Sequence, residues 1–323
     1  MDNSYISFLL HMSKPDPEFG TKVARHLRAL LDIFRSDGLL SDEDVTVYAD
    51  DCGHTMPKLS SVPANTPDES KSWIDKVKGY GRGIQYIVAS IYQKSIGSKR
   101  IGTVSLRTYV CRSQTYHSPM IKDEQVVIGM MHQKMWARID KARFQAAILE
   151  ACVDLGISYA AIDNANLGLD SIYHGNFRVL AADGLGVDPE TRLPGICWAQ
   201  YLSTGFIARN PGLSEIPWNQ YADQGFSDEI GFSIESIRGA TIDDLKGFWV
   251  QLTPEIKDAV LAYRMKFRRF FSGALYKLSL QRFADLNCHR DNCTIDLSLI
   301  PLFPEETEAL KGIVPNPRCP WMQ

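Results

Sequence analysis

The sequence predicts an α+β fold in which antiparallel sheets pack with a few long helices. Strand-like segments outnumber helical ones, and they arrive in consecutive groups. The few helical segments are long and amphipathic, whereas a doubly wound sheet would place a helix after almost every strand.

The elements follow in order. Tyr5–Met12 (YISFLLHM) is apolar and bounded by Pro15 and Pro17, so it reads as a strand. A helix is predicted over 18–36, because Val23, Leu27, Leu30, Leu31 and Phe34 recur at three- and four-residue steps and Gly38 can close it. A short strand at 45–48 precedes a long loop over 49–70, marked by Gly53, Pro57, Pro63 and Pro67. A short helix at 70–77 leads to antiparallel strands at 83–92 and 101–111, joined by a basic turn over 94–100. The strand 126–131 then enters a long helix ending near Leu155, with Gly156 as its stop and Ile139, Ala142, Ala146, Leu149 and Val153 as its inward stripe. Strands are predicted at 157–162, 172–180, 195–201, 229–235 and 247–252. Thr253, Pro254 and Glu255 supply a capping residue, a first-turn proline and an acid, so a helix is expected from there to about Phe271. The tail from Asn287 is rich in proline and cysteine and reads as irregular but packed. This order divides the chain into an α+β unit of residues 1–120 and a second of 121–323 that includes the tail. Strand, long helix and strand recur in both, suggesting two similar halves, although no residue-level repeat links them.

Composition narrows the function classes. A length of 323 residues accommodates two domains. With 35 basic and 38 acidic side chains the net charge is -3, which argues against direct nucleic-acid binding, since that needs a basic face. Six Trp, 13 Tyr and 14 Phe exclude a disordered chain. The N-terminus has no basic region, and its apolar stretch is too short for a signal-peptide core. No window approaches the roughly 20 apolar residues of a membrane span. Seven scattered cysteines suit reduced thiols better than a disulfide framework. The expected location is the cytoplasm, with no membrane association.

No motif carries a visible reaction. Gly79, Gly81 and Gly83 lie between a predicted helix and a strand, the reverse of a dinucleotide fingerprint, and read as a turn. His289-Arg290-Asp291-Asn292 lacks the upstream lysine strand and glycine loop of a kinase. Cys288, His289 and Cys293, with Cys319 downstream, offer soft metal ligands without a second proper pair. Asp244-Leu245-Lys246 and Glu69-Ser70-Lys71 match half of a metal-dependent nuclease signature, a tripeptide that chance supplies often, and Asp244 falls in a predicted turn. Cys197 lies on an apolar run and reads as a buried thiol, while His132, His174 and the other histidines read as surface or satisfied core residues. The chain is therefore expected not to be an enzyme and to need no cofactor. A metal-dependent hydrolase with a dispersed site is the alternative.

Charge is distributed unevenly. Residues 36–51 (SDGLLSDEDVTVYADD) hold Asp37, Asp42, Glu43, Asp44, Asp50 and Asp51 and no basic residue. That run is either a solvated acidic loop or a patch that meets a basic protein surface, where complementary charge raises association rate and specificity. Residues 263–271 (YRMKFRRFF) interleave basic and aromatic residues on a predicted helix, too short a stretch to imply nucleic-acid binding.

The second half carries a family resemblance. Leu193-Pro194-Gly195-Ile196-Cys197-Trp198-Ala199-Gln200-Tyr201-Leu202-Ser203 resembles the central strand of the immunity-protein-52 group, where a G-x-x-W-x-x-Y-L/F-S-like element recurs. Gly247-Phe248-Trp249-Val250-Gln251-Leu252-Thr253-Pro254-Glu255 is similar to that group's later G-x-x-V-x-L-T-P-E step from strand to helix. The likeness is clearest over 125–271. It implies an immunity protein that binds and neutralises a cognate type VI secretion nuclease toxin without catalysis of its own. Trp198, Tyr201 and Trp249 are then expected in the core. The acidic residues Asp37, Asp42, Glu43, Asp44, Asp50 and Asp51 are candidates for contact with the basic cleft of that toxin; the family motif does not include them.

Overall fold

The protein has an α+β fold. The computed structural model describes residues 5–12, 19–39, 45–50, 62–63, 86–92, 103–111, 124–164, 193, 197–224, 231–256, 270–271 and 304–312. The predicted helix at 70–77, the strand at 172–180, the glycine run at 79–83, the basic turn at 94–100, Glu69-Ser70-Lys71 and the Cys288–Cys293 region lie outside the described residues. By density of contacts the chain forms two compact units, Met1–Ala161 with Ile237–Lys246, and Ile162–Ser236 with Gly247–Gln323.

The first unit is built on an antiparallel ladder. Its strands are β1 (Tyr5–Met12), β2 (Val45–Asp50), β3 (Val62–Pro63), β4 (Tyr86–Tyr92), β5 (Thr103–Cys111) and β6 (Glu124–His132), in the order β3-β2-β4-β5-β6-β1. The predicted antiparallel pair appears as β4 and β5, with Tyr86 opposite Tyr109 and Tyr92 opposite Thr103. β6 is held on both sides, Met131 lying opposite Val104 of β5 and opposite Ile6 of β1. β3 interrupts what sequence predicts as loop, its Pro63 standing at the end of the strand order, where a missing N–H is tolerated.

Two helices, α1 (Phe19–Ser36) and α3 (Lys141–Asp154), supply part of this unit's described core, alongside Trp136, Ile139 and Tyr159. The predicted long helix is broken: α2 (Gln133–Trp136) is a single turn, and Asp140 restarts the chain as an N-cap whose carboxylate accepts from the Arg143 N–H at 3.1 Å. The inward face also differs from the predicted stripe. Phe144, Ile148, Ala151 and Cys152 are buried, whereas Ala142 and Ala146 are exposed and Leu149 and Val153 half-buried. Only Ile139 of the predicted set is buried. The Phe144 ring lies edge-on to Trp136 at 5.7 Å and tilted against Phe34 of α1 at 6.2 Å. Both helices end as predicted. Gly38 and Gly156 take positive φ, and the next residue donates back, Leu39 to the Phe34 carbonyl and Ile157 to the Cys152 carbonyl. The strand β7 (Tyr159–Asn164) follows.

β8 (Ala199–Ser203), β9 (Phe232–Arg238) and β10 (Leu245–Leu252) take the order β8-β10-β9, and most of their residues belong to the second unit. β8 runs antiparallel to β10, with Tyr201 opposite Trp249 and Ser203 opposite Gly247. Ser203 then caps α4 (Thr204–Arg209) by accepting from the Phe206 N–H at 3.0 Å. Asn210 caps α5 (Pro211–Ser214), and α6 (Trp218–Asp223) inserts Trp218 beside Phe248 and Phe271, with its indole donating to the Leu213 carbonyl at 2.8 Å. Residues 253–256 are not helical, and 257–269 of the helix expected there lie outside the described residues. The tail, expected to be irregular, contains α7 (Pro304–Lys311). Pro304 at its first position is preorganised for a helix, and Lys311 pairs with Glu308 at its end. Proline marks a helix start there as readily as a break.

Candidate functional site

Asp37, the first acid of the charged run, is turned into the junction of α1 and α3. Its side chain keeps 13% exposure, accepts from the Asp140 N–H at 2.8 Å and pairs with the Arg143 guanidinium at 3.4 Å. The same guanidinium donates to Ser36 Oγ at 3.0 Å. Asp37 thereby satisfies a backbone donor beside the start of α3 and places negative charge at the end of the dipole that favours it. Asp50 ends β2, opposite Tyr86. Asp42, Glu43, Asp44 and Asp51 lie outside the described residues.

A second polar cluster ties the helices farther along. Asp154, the last residue of α3, meets Arg25 Nη2 at 2.5 Å and His26 Nε2 at 2.8 Å, both from α1. A carboxylate at a helix C-terminus opposes the macrodipole, so the cationic partners offset an otherwise unfavourable placement. The His26 side chain is only 8% exposed, which makes it a satisfied core histidine. Burial by itself would raise the Asp154 pKa, but the hydrogen bonds and charges of His26 and Arg25 outweigh it and hold the carboxyl below its ordinary value. A folded pKa below the unfolded one gives stability that is complete above the unfolded value and is lost as pH falls through the folded one. Asp154→Asn should therefore be less stable than the parent at neutral pH, with the gap narrowing as pH drops below 3.8. Urea melts of both proteins at stepped pH check this; a gap independent of pH would refute it.

Two of the seven thiols, Cys152 and Cys197, have described side chains, and both are enclosed. Cys197 is buried, as its apolar run suggests, and burial pushes the Cys152 thiol up, away from the nucleophilic thiolate.

The turn between β9 and β10 carries a closed set of hydrogen bonds. Asp244 falls in a turn as predicted, and its carboxylate pairs with Lys246 at 2.7 Å. The Gly239 N–H donates to the Asp244 carbonyl at 2.8 Å and the Asp244 N–H to the Thr241 carbonyl at 3.1 Å. The Arg238 guanidinium donates to the Ile242 carbonyl. Ile242 itself projects with 76% exposure. It is a β-branched apolar residue inside Thr-Ile-Asp-Asp, where turn formers otherwise dominate.

In the second unit the segments behind the family resemblance meet. Beyond the β8–β10 ladder, the Trp198 indole donates to the Pro254 carbonyl at 2.8 Å and the Leu252 N–H donates to the Trp198 carbonyl at 2.8 Å. Trp198, Tyr201 and Trp249 are all buried, as expected of core residues.

The architecture is thus an α+β fold without a visible reaction centre among the described residues. In structure the chain is similar to the T6SS protein PA0821 of Pseudomonas aeruginosa, with a TM-score of 0.54 and 12% identity, covering 95% of this chain and 81% of that one. At that identity the likeness is one of fold. No protein-family model matches the chain, and no curated protein matches it in sequence. Among the described residues no helix is long and apolar enough to cross a membrane.

Proposed function

We propose that this chain is an immunity protein of a type VI secretion system, which binds a nuclease toxin of its own lineage in the cytoplasm and blocks it without catalysis. The observation that carries this reading is the fold-level likeness, over 95% of the chain, to a protein named for the type VI system. A second support is physical. The segments 193–203 and 247–255, which resemble the immunity-protein-52 group, form adjoining strands joined by the Trp198–Pro254 hydrogen bond. The resemblance therefore covers one packed unit instead of two unrelated strings. Within that group the chain is similar to TsiT, the immunity protein paired with the nuclease effector TseT.

Inhibition by an immunity protein is stoichiometric occupation of the toxin. A nuclease cleft is basic because it holds phosphate, so carboxylates steer the two proteins together. Asp37 already serves the α1–α3 junction; of the five acids left (Asp42, Glu43, Asp44, Asp50 and Asp51), Asp42, Glu43 and Asp44 are consecutive and form the densest steering group. Reversing those three to lysine should slow association about tenfold at low ionic strength and flatten its salt dependence, with little change in dissociation. Stopped-flow association across a salt series reads both, and an unchanged rate removes the patch from the account.

The reading as a whole is tested by mixing the purified chain with a catalytically inactive form of a type VI nuclease toxin from its own lineage. A stoichiometric complex at micromolar concentration is expected, together with protection of cells that express the active toxin. Failure to associate at that concentration ends the proposal.

A further inference from the structure

We draw no further inference here: the strongest candidate, the outer edge of β9 (Phe232–Arg238), which ends the strand order beside β10 among the described residues, carries nothing because no observation in the structure shows what covers it.

Discussion

Alanine at Gly247 is expected to destabilise the protein by about 3 kcal/mol, against a background in which Gly→Ala in a strand normally helps. Gly247 stands opposite Ser203 in the β8–β10 ladder. A Cβ there would lie 2.3 Å from the Leu202 carbonyl oxygen, 2.8 Å from Tyr201 Cε2 and 2.9 Å from Ser203 Cα. Two of those atoms are backbone, so no change of rotamer relieves the overlap. β10 must move away from β8, and that move loosens the contact holding Trp198, Tyr201 and Trp249. Denaturant unfolding followed by tryptophan fluorescence measures the loss. Gly312→Ala is the control, since its nearest atom would be the Ala309 carbonyl oxygen at 3.8 Å, an ordinary contact. A Gly247→Ala protein as stable as its parent would mean that the two strands are not this close. The glycine that opens the later resemblance motif thus has a physical reason, which is the close approach of the β8 backbone at Leu202 and Ser203 and of the Tyr201 ring.

Strand positions were the most legible part of the sequence. β1, β4, β5 and β10 follow from apolar runs bounded by turn residues, and Gly38 and Gly156 mark their helix ends because both positions require positive φ. What escaped were decisions between competing signals. Asp140 can sit within a helix or cap one, and its cap wins because Asp37 waits across the junction to receive its N–H. That partner lies 103 residues away, so no local window contains it. The same separation explains why Asp37 looks like surface charge in the sequence. A run of acids announces a field, but it does not say which of them has already been claimed by an arginine on another helix. Exposure is harder still to read: Ile242 stands out from its turn, and exposure is not written in residue type.

The face of α3 offers the sharpest stability test. Two helical stripes compete in its sequence: Ala142, Ala146, Leu149 and Val153 are periodic, and so are Phe144, Ile148, Ala151 and Cys152. Periodicity cannot choose between them; the area each can remove from water can. Phe144 contributes far more of it than an alanine, and α1 offers Phe34 to receive the ring. Phe144→Ala should therefore cost about 3–5 kcal/mol, combining lost transfer energy with the cavity left between Phe34 and Trp136. The polar ties at the two ends of the helix pair, Asp37 with Arg143 and Asp154 with Arg25 and His26, survive that change, so the loss measures packing alone. Ala146→Glu provides the contrast. On a buried stripe a new carboxylate would be severely destabilising, but on the exposed face that α3 presents there it should fall within about 0.5 kcal/mol of the parent. Urea melts of the two variants side by side decide the matter. If Ala146→Glu is the more damaging substitution, the helix is rotated from the face assigned to it, and the Asp140–Asp37 junction would have to be rebuilt with it.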